Sequence, residues 1–103
     1  MDFTPSTYTR LLEALQASGY SFQTIAGFFE SPGYKTVLLR HDVDLLPQNA
    51  LAMAKLEHGM GVVATYYFRA VPESWDEGVI REIAGMGHEV GITMRTSVQR
   101  SEV

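Results

Sequence analysis

Asp42 and Asp44, separated by Val43, close a short apolar run, Val37-Leu38-Leu39. In an extended chain, residues two apart point to the same side, so both carboxylates share a face. Two such groups repel unless a cation or a shared proton neutralises them. The spacing therefore suits one carboxylate as ligand to a divalent cation and the other as general base on cation-bound water. The same residues also suit a plain turn, with Asp42 bonding nearby amides and Asp44 capping the next helix. His41 alternates with Asp42, so its ring is expected on the opposite side, packed or hydrogen-bonded. Arg40 is suited to pair with a carboxylate and hold it.

Two further constellations follow. Thr65-Tyr66-Tyr67-Phe68-Arg69 reads as a core strand. Arg69 is expected to emerge at its C-terminal end beside Asp42, where it could orient a carboxylate or bind substrate. Gly87-His88-Glu89-Val90-Gly91 reads on its own as a helix stop, a loop and a strand start.

The elements that must position these groups follow from periodicity and punctuation. Thr4-Pro5 starts a helix carrying Tyr8, Leu11, Leu12 and Leu15, which stops at Gly19. Ser21 is expected to cap a second short helix with Phe22, Ile25, Ala26 and Phe29, ended by Ser31-Pro32-Gly33. Thr36 to Arg40 is the first strand. Pro47 opens a helix through Ala50, Met53, Ala54 and Glu57 that ends near Gly59-Met60-Gly61. Val62 to Phe68 is a second strand. Pro72 and Asp76 precede a helix holding Val79, Ile80 and Ile83, and Glu89 to Ile92 begins a third strand. One or two helices followed by β-α-β-α-β define an α/β chain with parallel strands and right-handed crossovers. Three short strands leave an open edge, through which self-association is expected.

With 103 residues and no cysteine, the chain offers one modest core and only oxygen and imidazole ligands for a metal. A net charge of −4 without a basic stripe argues against nucleic acid as a partner. No signal peptide and no membrane-spanning run is visible, so a cytoplasmic location is expected.

Arg40-His41-Asp42-Val43-Asp44, Thr65-Tyr66-Tyr67-Phe68-Arg69 and Gly87-His88-Glu89-Val90-Gly91, in this order and separation, resemble the polysaccharide deacetylase (NodB-homology) family. The likeness is nearest to bacterial members with a His-Asp-Val-Asp first motif, and it covers residues 35–91. It implies the β-α-β-α-β portion of a distorted (β/α) barrel. It also implies metal-dependent hydrolysis of an N-acetyl or other acyl group on a carbohydrate or amide substrate. By motif position Asp42 is the catalytic base and Asp44 a metal ligand. Arg40, His41, Arg69 and His88 stand around the substrate or behind those two. The implied cation is divalent, zinc above all, held by the Asp and two histidines.

This chain departs from that pattern. The family's metal-binding histidine after the Gly-His-Glu-x-Gly motif is replaced by Thr93, and no histidine follows His88. Tight metal binding and activity of the isolated chain are therefore not expected. Three regions result: a helical segment 1–34, a partial barrel domain 35–91 and an atypical tail 92–103, expected to be disordered or frameshifted. If Ile92-Thr93-Met94-Arg95-Thr96 is encoded ATC ACT ATG AGG ACC, one restored T yields Tyr-His-Tyr-Glu-Asp and returns a histidine. The chain is thus read as a truncated relic of a longer enzyme. The alternative is a non-catalytic α/β binding module or pseudoenzyme fragment. A receiver-like use of the acidic pair for Mg²⁺ would want an Asp ending the next strand, where Arg69 stands.

Overall fold

The computed structural model describes residues 4–44 and 46–93. Thr4 caps helix α1 (Pro5–Ala17), its hydroxyl accepting from the Thr7 N–H at 3.1 Å, with Pro5 in the first turn. Tyr8 and Leu12 are the buried residues of this helix.

The next segment differs from the sequence expectation. Ser21 does not cap a helix. Ser21–Gln23 is strand β1, and α2 (Ile25–Glu30) starts behind Thr24, whose hydroxyl accepts from the Gly27 N–H at 3.0 Å. The reason is pairing: Ser21, Phe22 and Gln23 lie in parallel register with Thr36, Val37 and Leu38 of β2 (Thr36–Leu38). The expected single strand Thr36 to Arg40 is likewise divided. It breaks at Leu39, and β3 (Arg40–Val43) belongs to a second sheet. The motif residues Arg40 to Asp42 thus lie inside a strand, and only Asp44 lies beyond it.

From there the β-α-β-α-β order holds. Helix α3 (Pro47–Gly59) leads to β4 (Thr65–Arg69), and α4 (Glu77–Gly85) leads to β5 (Glu89–Thr93). Asp76 caps α4 by accepting from the Val79 N–H at 3.1 Å. The sheet order is β3-β4-β5, all parallel, with Arg40 opposite Thr65 and Thr65 opposite Glu89. Ile92 and Thr93, assigned from sequence to the tail, are strand residues; the remainder of that tail, 94–103, lies outside the described residues.

Both crossover helices pack on one side of the sheet. Leu51 and Ala54 of α3 and Val79 and Ile83 of α4 share a core with Val43, Tyr66 and Phe68. Helix α1 adds a second cluster, where Tyr8 and Leu12 meet Val62 and the partly buried Met53 and Leu56 of α3. This is an α/β chain with parallel sheets. Among the described residues no helix is long and apolar enough to cross a membrane.

Candidate functional site

The pleat divides the motif residues between the two faces of the sheet. On the face opposite α3 and α4 they form a ladder read straight from the register. Arg40, Thr65 and Glu89 make the first rung, and Asp42, Tyr67 and Gly91 the second. The third rung pairs Arg69 with Thr93, with Asp44 one residue past the end of β3. Arg40 bonds Asp42 (Nε to Oδ1, 3.1 Å) while its guanidinium lies 4.5 Å from the Tyr67 ring centroid. Arg69 Nε lies 3.9 Å from Asp44 Oδ1. That is too long for a hydrogen bond, and this buried Nε has no hydrogen-bond partner among the described residues. Arg69 therefore stands beside Asp44 rather than beside Asp42, as its place in the third rung dictates.

Both carboxylates are open to solvent, with side-chain exposures of 59% for Asp42 and 56% for Asp44. Their arginine pairs sit at the surface, so each contributes little to stability. Gly91 has a physical role in the ladder. A Cβ there would come within 2.5 Å of the Tyr67 ring, so only glycine lets the ring lie across β5. The opposite, N-terminal end of the ladder is closed. The Ile25 N–H donates to Thr65 Oγ1, the Ala26 N–H donates to Glu89 Oε1, and Thr65 itself donates to Glu89. Asp44 thus sits at the open, C-terminal end of the strands, with Asp42 one rung below it. Leu46, just beyond them, has φ 51°, a left-handed conformation that a leucine holds only under strain.

The other face carries a group that the sequence reading placed in a helix without giving it a role. Glu57 is fully buried. Its Oε2 accepts from Tyr8 Oη at 2.5 Å and from His41 Nε2 at 2.7 Å, and its Oε1 accepts from Tyr66 Oη at 2.6 Å. One carboxylate therefore joins α1, β3, α3 and β4. The His41 ring stacks on Tyr66 at 4.5 Å and meets Tyr8 edge-on at 6.2 Å. A signal was present in the sequence. Glu57 continues the Ala50, Met53, Ala54 spacing that faces the core, and a carboxylate at such a position must be paired.

Burial alone would push the Glu57 carboxyl up. Hydrogen bonds from His41, Tyr66 and Tyr8, with the charge of His41, outweigh that and hold it below the usual carboxylate range. The phenols of Tyr8 and Tyr66 move the other way, raised by burial and then by their bonds to Glu57 and its charge. The signs set a stability window. Because Glu57 is depressed in the folded state, its contribution is present above the unfolded carboxylate value. It is lost as pH falls through the folded value. The raised phenols contribute below the unfolded tyrosine value, about 10, and that contribution is lost as pH rises above it. Thermal melts across pH are expected to fall off on both sides of neutrality, and Tyr8→Phe is expected to flatten the alkaline limb.

His88 lies on this helix-covered side too. Its side chain is fully buried, Nδ1 accepts from the Ala64 N–H at 3.1 Å and Nε2 donates to the Ala54 carbonyl at 3.0 Å. Nδ1 also lies 3.9 Å from Glu57 Oε1, but its lone pair is already committed and it cannot donate there. The role around the substrate that the resemblance gives His88 therefore finds no support in its position: both ring nitrogens serve the backbone. His41 likewise points away from the carboxylate ladder.

The zinc that the resemblance implies does not fit the described residues. All three histidines of the chain lie among them. His41 is bonded to Glu57, His88 to backbone, and His58 stands exposed in the last turn of α3. Among the described residues no group of three or more His, Cys, Asp or Glu side chains could hold a metal ion. Compared with family models, with curated proteins and with solved structures, the chain has no significant match.

Proposed function

We propose that this chain carries the β-α-β-α-β portion of a deacetylase-type (β/α) barrel. Its ladder, on the face opposite α3 and α4, is the face toward a carbohydrate amide or ester. Asp42 is the base of that site and Asp44 the lone metal ligand carried over from the family pattern. Alone, the chain performs no metal-dependent hydrolysis. What supports this reading is that all three motif segments contribute to one face of consecutive parallel strands, Arg40 and Asp42 from the first, Tyr67 and Arg69 from the second and Glu89 and Gly91 from the third. Consecutive strand order with both crossover helices on one side is also what a closing barrel requires. Such folds build their sites at the C-terminal strand ends, where Asp44, Arg69 and Thr93 lie.

Position 93 gives the test. It belongs to the rung of Arg69 and Asp44, and it is where the family pattern places a histidine. Thr93→His is expected to bind zinc at least about tenfold more tightly than the parent chain, through one added imidazole beside Asp44. Adding Asp44→Ala is expected to cancel the gain. A Thr93→His chain that binds zinc no better than the parent would overturn the reading. A second reading, a non-catalytic binding module, is favoured by the far side of β5. That strand pairs only with β4 among the described residues, and its Ile92 is 55% exposed.

A further inference from the structure

The Glu57–His41 pair opens onto a cleft that adjoins the proposed deacetylase-type site at Asp42 but lies on the His41 side of β3. The cleft has a volume of about 180 Å³ and runs between β3 and the first turns of α3. His41, Asp42, Leu46, Asn49, Met53 and Tyr66 are among its lining residues. The His41 side chain is 22% exposed, whereas its partner Glu57 is wholly enclosed. A carboxylate with three hydrogen-bond donors on it is an acceptor, so His41 Nε2 carries the proton. In the neutral ring the lone pair then resides on Nδ1, for which the described residues offer no hydrogen-bond partner. Stacking on Tyr66 fixes the plane of the ring. This is the arrangement of an oriented base: a buried carboxylate fixes tautomer and direction, and the other ring nitrogen is left for chemistry.

We propose that His41, aligned by Glu57, forms a second chemical site in this cleft, a metal-independent general base for hydrolysis of small neutral acyl esters. The lining selects that class. Asp42 in the lining disfavours anions, and among the described residues no lysine or arginine lines the cleft to attract them. Leu46 and Met53 offer an apolar wall for a short acyl chain. Asn49 brings a side-chain amide, a donor type that stabilises a carbonyl oxygen as charge develops on it. In the step itself, His41 Nδ1 takes a proton from water as the water oxygen bonds to the acyl carbon. The tetrahedral centre then breaks its bond to the alkoxide, which recovers the proton from His41, leaving a carboxylic acid and an alcohol. Glu57 is a positioning residue here and touches no substrate.

The probe is p-nitrophenyl acetate, hydrolysed by the whole chain in buffer containing a chelator. His41→Gln keeps a donor for Glu57, so its fold can be checked by circular dichroism. Its buffer-corrected rate is expected to fall at least about tenfold. His58→Gln, altering the exposed histidine outside the cleft, is expected to keep the parent rate. In parallel, imidazole ¹⁵N spectra are expected to show His41 as a single Nε2–H tautomer, and Glu57→Gln to lose that uniformity. A His41→Gln chain that hydrolyses the ester at the parent rate overturns the proposal, as does an Nδ1–H tautomer in the parent spectrum. A His58→Gln chain that loses the activity transfers it to an exposed histidine outside the cleft and also overturns the proposal.

Discussion

Glu57→Ala is expected to destabilise the chain by about 3–5 kcal/mol, a large part of the roughly 5–15 kcal/mol available to a small domain. The substitution removes the one acceptor shared by the Tyr8 and Tyr66 hydroxyls and the His41 N–H. All three donors stay behind in a space from which Glu57 had excluded water, and an unpaired buried donor costs its full desolvation. The damage should spread beyond α3, because Tyr8 is how α1 reaches this network. Glu57→Gln, which keeps the shape but loses the charge, is expected to cost less, about 1–3 kcal/mol. Combining Glu57→Leu with Tyr8→Phe and Tyr66→Phe should recover part of the loss, since two of the three orphaned donors leave with the carboxylate and only the His41 N–H remains. Urea denaturation of the four chains measures this series. A Glu57→Ala chain within about 0.5 kcal/mol of the parent would mean that the network does not hold the fold.

His88→Ala is the second large effect, expected at about 2–4 kcal/mol. The imidazole fills a closed space between α3 and the start of β4, and alanine leaves part of it empty. The Ala64 N–H, one residue before β4, loses the acceptor that His88 Nδ1 provides. His88→Gln, which can both accept and donate, is expected to restore part of the loss. Amide hydrogen exchange gives a local readout: protection at Ala64 should drop in His88→Ala beyond the fall in global stability. Unchanged protection there would contradict the assignment of His88 to the backbone.

The helices were legible because their signals are local. Thr4-Pro5, Pro47 and Asp76 mark starts, and apolar spacing marks the buried faces. The parallel order of β3, β4 and β5 followed from strands alternating with helices. What was not legible depends on contacts distant in sequence. Ser21–Gln23 has hydroxyl and apolar residues that also suit a helix start, and only pairing with Thr36–Leu38 makes it a strand. The break at Leu39 is invisible in a run of valine and leucine, because it reflects a change of sheet rather than of composition. Within the candidate site, the alternation of Arg40, His41 and Asp42 separated the two faces correctly. The Glu57 network escaped notice because its donors, Tyr8, His41 and Tyr66, come from segments whose meeting is a tertiary event. His88 shows the converse. Its place in a motif suggested chemistry near substrate, while its surroundings give both nitrogens to main-chain groups.

The claim at the centre of this account is that Asp42 and Asp44 face a site whose imidazole ligands this chain does not provide. Calorimetric titration of the unmodified chain with zinc at neutral pH tests it most directly. The account predicts no tight one-to-one binding, and the same weak heat from the Asp44→Ala chain. A tight single site that disappears in Asp44→Ala would contradict it, because the chain would then hold its metal without the two imidazoles of the family pattern.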